Sequence, residues 1–108
     1  MEIKKITNKF SVSPQIAVDD VAAIKEAGFR AVICNRPDGE ASDQPSFKEI
    51  EAAATGAGLQ IVYMPVISGM VRNEDVTAFS EALETLPHPV LAYCRTGTRS
   101  ATLWSLHE

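Results

Sequence analysis

Short apolar runs alternate along the chain with segments whose apolar positions repeat at helical spacing. Uninterrupted apolar runs of this length are typical of strands that are buried on both faces. Two further short strands are predicted on either side of Asn8, as a hairpin or an edge pair. The five predicted strands are Ile3–Thr7, Lys9–Ser13, Arg30–Cys34, Leu59–Val66 and Val90–Tyr93.

Helical periodicity and helix-end signals fill the intervals between these strands. Val76, Phe79, Leu83 and Leu86 repeat at helical spacing and predict one apolar face. A capping box at Ser46–Glu49 predicts another helix start. The four predicted helices are Val18–Ala27, Ser46–Ala57, Asn73–Leu86 and Ser100–Leu106.

This alternation predicts an α/β fold, a three-layer sandwich in which helices cover both faces of a mostly parallel central sheet. The length of 108 residues fits one domain, 1–108, with a single core. In such sheets ligands bind beyond the carboxyl ends of the strands, and Cys94 follows the last predicted strand directly.

Composition and charge exclude several classes of partner. The chain is 45% apolar and carries a net charge of −4, so neither nucleic acid nor an anionic membrane is expected as a partner. No stretch can span a bilayer, and Met1–Ile6 lacks a signal-peptide core. Two cysteines, Cys34 and Cys94, fit neither a disulfide scaffold nor a zinc site. We therefore expect a cytoplasmic protein with reduced thiols, without a metal or cofactor.

The segment from Cys94 to Ser100 carries the candidate chemistry. A tight loop that ends at a helix N-terminus directs several backbone N–H groups to one point, and a thiolate placed there is stabilised. Cys94 is therefore the expected nucleophile, and Arg99 is expected to hold an oxyanion with its planar fork of donors. We count the remaining loop residues, which are Arg95, Thr96, Gly97, Thr98 and Ser100, as candidate substrate-binding residues.

These loop residues have different expected roles. Thr96, Gly97 and Thr98 would act through their backbone N–H groups. Arg95 either faces the substrate or lies on the rim of the site. Ser100 either satisfies the start of the helix or takes part in catalysis.

Loop length separates two chemistries. Only four residues lie between Cys94 and Arg99, whereas tyrosine and dual-specificity phosphatases have five. Cys-Arg-Thr-Gly-Thr-Arg-Ser instead resembles the active loop of single-domain rhodaneses, which implies that Cys94 carries sulfane sulfur as a persulfide. A phosphatase also needs a general acid, and the nearest candidates are Asp38, Asp43 and Asp75. Transfer to a thiol needs none, because a thiolate of low pKa is itself the leaving group.

Most of the chain resembles one bacterial family, the phosphatase-like domain of beta-lactamase-hydrolase-like proteins. The resemblance implies a fold like that of dual-specificity cysteine phosphatases with a loop of rhodanese length. It also implies a link to a metallo-beta-lactamase-like persulfide dioxygenase, to which relatives are fused. The segments that carry it are Ser13–Gln15, Gly28–Glu40, Gln44–Pro45, Pro65–Val66 and the Cys94 loop.

Three residues outside the loop complete the candidate site. Arg36 and Asp38 either form a salt bridge that holds their loop or contact the substrate. Cys34 is either a small core residue or a thiol that resolves an oxidised Cys94.

The leading hypothesis is therefore a sulfurtransferase that passes sulfur from a small anionic or persulfide substrate to a thiol or cyanide acceptor. The alternative is a phosphatase that acts through a phosphocysteine on Cys94. A non-catalytic module that binds an anion or senses oxidation is the third hypothesis.

Overall fold

A five-stranded sheet forms the middle layer of the computed structural model, which describes residues 2–107. Met1 and Glu108, the two ends of the predicted domain 1–108, lie outside the described residues. The strands are β1 (Lys4–Thr7), β2 (Phe10–Ser13), β3 (Ala31–Cys34), β4 (Gln60–Tyr63) and β5 (Val90–Tyr93). The helices are α1 (Val21–Glu26), α2 (Phe47–Gly56), α3 (Asn73–Thr85) and α4 (Thr98–His107), and a short 3-10 turn (Val18–Asp20) precedes α1.

The strands lie in the order β1-β2-β5-β3-β4, and only β1 runs antiparallel to its neighbour. β3 pairs with both β5 and β4, and the last residue of each strand is in register: Cys34 lies opposite Tyr93 on one side and Tyr63 on the other. The predicted mostly parallel sheet is confirmed. Because the three strands end at one level, the residues that follow them gather at one edge of the sheet.

Two apolar clusters cover the two faces of this sheet and produce the predicted three layers. Ala31 and Ile33 of β3 pack with α3 and α4, while Val32 and Cys34 pack with α1 and α2. This alternation follows from the two-residue period of a strand. Phe10 stacks on Trp104 with a centroid distance of 4.5 Å, which ties α4 to the sheet.

Element ends differ from the prediction at several points. β4 ends at Tyr63 instead of Val66, because β4 is an edge strand and its neighbour β3 ends at Cys34, opposite Tyr63. α3 ends at Thr85, since Leu86 precedes Pro87 and takes the extended conformation that proline imposes on its predecessor. α4 begins at Thr98, two residues before the predicted start at Ser100.

The helices are short, and α3, with 13 residues, is the longest of them. Between residues 2 and 107 no helix combines the length and apolar character that crossing a membrane would require.

The capping box at the start of α2 yields a stability prediction. Ser46 Oγ accepts the Glu49 N–H at 3.2 Å, and Glu49 Oε1 accepts the Ser46 N–H at 3.2 Å. We expect Ser46→Ala to lower the free energy of unfolding by about 1 kcal/mol, because the first turn loses an acceptor. Ser46→Thr keeps the hydroxyl and is the matched control. Urea unfolding followed by circular dichroism measures both, and equal midpoints for the two variants would contradict the assignment.

Candidate active site

The sulfur of Cys94 lies where β5 ends and α4 is about to begin. Its side chain is fully buried, and Sγ accepts a hydrogen bond from the Gly97 N–H at 3.0 Å. The backbone N–H groups of Thr96, Arg99 and Ser100 also act on this sulfur. Those of Arg99 and Ser100 belong to the first turn of α4, whose N–H groups have no partner within the helix. The loop and the helix start therefore form one cradle of donors.

This cradle favours the thiolate of Cys94. Burial raises the pKa of the thiol, but the hydrogen bonds from the N–H groups of Ser100, Thr96, Arg99 and Gly97 lower the pKa by more. The net result is a pKa below the ordinary value of a cysteine. The positive end of the α4 dipole acts in the same direction. The surroundings of Cys94 therefore favour its thiolate, and its role as a nucleophile stays a prediction.

Gly97 lets the loop lie against the end of β2. Its φ of +93° is a conformation that side chains with a Cβ rarely adopt. A Cβ at this position would also lie 3.4 Å from the backbone carbon and oxygen of Ser13. Nearby, the Gln15 N–H donates to the Arg95 carbonyl at 3.2 Å. The segment after β2 thus supports the outer side of the Cys94 loop (residues 94–99).

Arg99 is held by a carboxylate that the sequence analysis did not single out. Its Nη1 and Nη2 donate to the two carboxylate oxygens of Glu40 at 2.8 and 2.9 Å, and Nη1 also donates to the Val66 carbonyl at 2.9 Å. Three N–H donors are occupied in this way. The Nε–H and the second Nη2–H form the other fork of the guanidinium, which Glu40 and Val66 do not occupy and which lies near Cys94.

Arg99 and Glu40 each stabilise the charged form of the other. Hydrogen bonds from Arg99 lower the pKa of Glu40, and bonds from Arg36 add to that effect against the opposing effect of burial. Hydrogen bonding to Glu40 in turn raises the pKa of Arg99, and the charge of Cys94 contributes in the same direction. Glu40 is therefore ionised at neutral pH, and Arg99 lies close to the Cys94 sulfur.

Asn35 fixes both ends of the Cys94 loop. Its backbone N–H donates to the Tyr93 carbonyl at 2.8 Å, just before Cys94. Its side-chain oxygen accepts the Ser100 hydroxyl at 2.8 Å, and its amide donates to the Met64 carbonyl at 2.9 Å. Asn35 and Ser100 are both fully buried. Ser100 therefore anchors α4 to β3 instead of capping the helix, because its hydroxyl is taken by Asn35.

An open cleft of about 670 Å³ lies above the loop. Of the predicted site residues, the structure brings Arg36, Arg95, Thr96, Thr98 and Arg99 to its lining. Cys94 and Ser100 are buried, and Gly97 borders a separate depression beside Ser13. Glu40 is the only carboxylate among the described lining residues of the cleft.

The predicted pairing of Arg36 with Asp38 is wrong. Arg36 Nε instead donates to Glu40 Oε1 at 3.0 Å. Asp38 Oδ1 accepts the N–H of Phe47, the first residue of α2, at 2.8 Å, so this carboxylate caps a helix. Asp38 consequently lies outside the cleft lining.

The other two aspartates considered as general acids are also not in the cleft. Asp75 accepts the Arg72 N–H at 3.0 Å at the start of α3. Asp43 lies in another depression, beside Gln44 and Pro45. No aspartate is therefore positioned to protonate a leaving group in the described part of the cleft.

Cys34 lies on the face of the sheet that α1 and α2 cover. Its thiol is buried and donates to the Arg36 carbonyl at 3.3 Å, and burial raises its pKa. Both cysteines are free thiols. A role as the resolving thiol stays a prediction, although the raised pKa disfavours the reactive thiolate of Cys34.

Sequence reasoning missed Glu40, Asn35 and Gln15 as members of the site. Glu40 lies four residues after Arg36, so a search for nearby carboxylates would have found this pair. Nothing local connects Glu40 with Arg99, which is 59 residues away.

Comparison with known families gives one match that spans nearly the whole chain. A family model described as "Beta-lactamase hydrolase-like protein, phosphatase-like domain" matches residues 2–108. A beta-lactamase hydrolase-like protein from Xylella fastidiosa (strain Temecula1) is 36% identical over 108 residues, all of this chain but 25% of that protein. The chain thus spans about a quarter of the length of the curated relatives it matches.

Solved structures agree with this match. A candidate phosphatase from Neisseria meningitidis is 38% identical, with a TM-score of 0.90 over 96% of this chain and 74% of that one. A candidate phosphatase from Shewanella putrefaciens is 25% identical, with a TM-score of 0.86 over 97% of this chain and 66% of that one. Phosphatases of lower identity share the fold alone. The predicted cysteine-phosphatase-like fold is confirmed, and these similarities support phosphatase-like function without supporting sulfur transfer.

The lowered pKa of Cys94 gives a prediction about its reactivity. The rate of iodoacetamide alkylation should rise with pH through a midpoint below about 8.5, the usual value of a free thiol. Gly97→Ala should move that midpoint upward, because a Cβ strains the backbone and displaces the donating N–H. Mass spectrometry of the Cys94 peptide across pH measures both, and Cys34→Ala is the control that should leave the midpoint in place. A midpoint at the ordinary value in the parent protein would contradict the cradle.

Proposed function

Because the chain belongs to the phosphatase-like domain family of beta-lactamase hydrolase-like proteins, as its motifs predicted, we propose that it is a cysteine-dependent phosphatase acting on small phosphate monoesters. One observation carries the proposal: the Gly97 N–H donates to the buried sulfur of Cys94, and the N–H groups of Ser100, Thr96 and Arg99 lower the pKa of the same thiol, beside a guanidinium fork that Glu40 does not occupy. Cys34 and Cys94 are both free thiols, so the proposal retains the expected cytoplasmic setting.

The reaction proceeds in two displacements at phosphorus. The Cys94 thiolate attacks the phosphoryl group; the S–P bond forms as the P–O bond to the leaving group breaks, and the leaving oxygen departs with the electron pair. Water then attacks the phosphocysteine, and the S–P bond breaks to return the thiolate. The proton of that water remains on the released phosphate or passes to solvent. Throughout, loop N–H groups and the fork of Arg99 hold the phosphoryl oxygens.

Glu40 positions Arg99 and does not supply a proton. Its carboxylate is bonded to two guanidinium groups, which keeps its pKa low and its charge negative. Asp38 and Asp75 accept backbone N–H groups at the starts of α2 and α3, and Asp43 lies in another depression. A leaving group therefore departs largely unprotonated, so substrates whose leaving oxygen has a low pKa are favoured.

Sulfur transfer is a second candidate because one specific feature favours it: the four-residue spacing between Cys94 and Arg99. In that reaction the thiolate attacks the outer sulfur of a sulfane donor, the donor S–S bond breaks, and the former partner leaves with the electron pair. Such a leaving group needs no acid. A thiol acceptor and a persulfide dioxygenase partner belong to this candidate.

One parallel assay separates the candidates. We expect turnover of p-nitrophenyl phosphate that Cys94→Ser abolishes and Cys34→Ser retains. The same preparations are assayed with thiosulfate plus cyanide and with glutathione persulfide. Sulfur transfer in the absence of phosphate release would reverse the order of the two candidates. Binding of phosphate without turnover of any substrate would indicate the non-catalytic anion-binding module.

Leaving-group dependence provides a sharper check of the phosphatase. Without a positioned acid, kcat/KM for aryl phosphates should exceed that for alkyl phosphates by roughly the 10²–10⁴-fold that general acid catalysis usually contributes. A series of substituted phenyl phosphates should show a steep dependence on the pKa of the phenol. A flat series, together with a loss of rate above neutral pH, would reveal an acid that the geometry does not supply.

A further inference from the structure

The cleft above the Cys94 loop carries more positive charge than its reacting end requires. Arg36, Arg95 and Arg99 line it, and Glu40 is their single carboxylate counterpart among the described lining residues. The chain as a whole is acidic, with a net charge of −4. A local excess of arginine in an acidic protein favours an anionic ligand with more than one negative group.

Arg36 is buried and rigidly held, which distinguishes it from an ordinary surface arginine. It is only 6% exposed. Its Nε donates to Glu40 Oε1 and its Nη1 donates to Gln15 Oε1, each at 3.0 Å. Two anchors on different segments fix the plane of the guanidinium, so little side-chain entropy is lost when it binds a ligand.

One end of that guanidinium remains available. Nη2 of Arg36 makes no hydrogen bond within residues 2–107. In that range every fully buried side-chain nitrogen or oxygen has a hydrogen-bond partner. Nη2 is therefore not sealed in the interior, and Arg36 is one of the residues that line the cleft.

Arg36 and Arg99 are close enough to bind two groups of one small molecule. Arg36 Nε and Arg99 Nη2 donate to the same oxygen, Glu40 Oε1, at 3.0 and 2.9 Å, so these nitrogens are at most about 5.9 Å apart. Arg36, Arg95 and Arg99 together outnumber the negative charges of Glu40 and the Cys94 thiolate. The cleft can therefore bind an anionic ligand with one group at Arg99 and another at Arg36.

We propose that Arg36, with Arg95 at the exposed rim, forms a second oxyanion subsite next to the Cys94 loop. The substrate is then a small molecule with two anionic groups a few bonds apart: a phosphoryl group that reacts at Cys94 and a phosphate or carboxylate bound at Arg36. This inference rests on the proposed function for the identity of the reacting group. The subsite itself is a matter of binding and can be tested without turnover.

Protection of Cys94 from alkylation measures the subsite directly. The probes are methylphosphonate, which has one anionic group, and methylenediphosphonate and phosphonoacetate, which have two. At least one of the two-group probes should protect Cys94 at a concentration at least about tenfold lower than methylphosphonate, since a charge-assisted hydrogen bond contributes about that much. Equal protection by all three probes would overturn the proposal. The tighter of the two longer probes identifies the second group as phosphoryl or carboxyl.

Three variants test whether Arg36 causes the preference for two-group probes. Arg36→Lys keeps the charge but removes the fork, and it should reduce the ratio between two-group and one-group probes with little change for methylphosphonate. Arg95→Gln at the exposed rim should lower the ratio partly, and Arg30→Gln, exposed and outside the cleft lining, should not change it. An Arg36→Lys protein that loses both classes of probe equally would show that Arg36 only braces Glu40. If that variant does not fold, the parent ratio and Arg95→Gln decide.

The outcome is independent of the chemistry at Cys94. If two-group probes protect Cys94 better than methylphosphonate but no phosphate is released, the phosphatase proposal is rejected and the subsite is supported. If phosphate is released but the two classes of probe protect equally, the subsite is rejected and the phosphatase proposal is supported.

Discussion

A buried sulfur anion has to be surrounded by hydrogen-bond donors, and this requirement organises the site. The donors here are backbone N–H groups, which are available only where regular structure is interrupted. β5 ends at Tyr93 and α4 begins at Thr98, so Cys94 falls in the one interval between them where N–H groups have no helical or sheet partner. The parallel sheet, the clusters on its two faces and the stacking of Trp104 on Phe10 all serve to keep the start of α4 at that edge.

Glu40 extends this arrangement beyond the loop. Its carboxylate joins Arg99 of α4 to Arg36 of the segment after β3, and Arg36 in turn reaches Gln15 after β2. Three connections at the carboxyl edge of the sheet are thereby linked by charge-assisted hydrogen bonds. The carboxylate orients one fork of Arg99 by occupying the other. One edge of the Arg99 guanidinium is thus bonded to Glu40, and the other edge is left for the oxyanion of the proposed reaction.

The sequence predicted what depends on local pattern. Val90–Tyr93 matched β5 at both ends, because an apolar run there is bounded by Pro89 and by the polar loop. The spacing of Cys94 and Arg99 predicted that they lie in one loop, and their roles in catalysis stay predictions. The partner of Arg36 was misassigned, because Asp38 and Glu40 both lie within reach and only the start of α2 decides that Asp38 caps it. Glu40 with Arg99 and Asn35 with Ser100 are contacts over 59 and 65 residues, which the order of the fold creates and no local pattern records.

Asn35 holds the two ends of the Cys94 loop at a set distance from each other. Its backbone N–H donates to the carbonyl of Tyr93, and its side-chain oxygen accepts the hydroxyl of Ser100, both at 2.8 Å. The distance between these two hydrogen bonds is set by the spacing of β3 and β5. An inserted residue would therefore bulge outward instead of enlarging the cradle. Interconversion between four-residue and five-residue versions of such a loop therefore demands coordinated change in the strand, the asparagine and the helix. Because phosphatases with five-residue loops share this fold, the four-residue ring here is tied to the two contacts of Asn35 and not to the sheet alone.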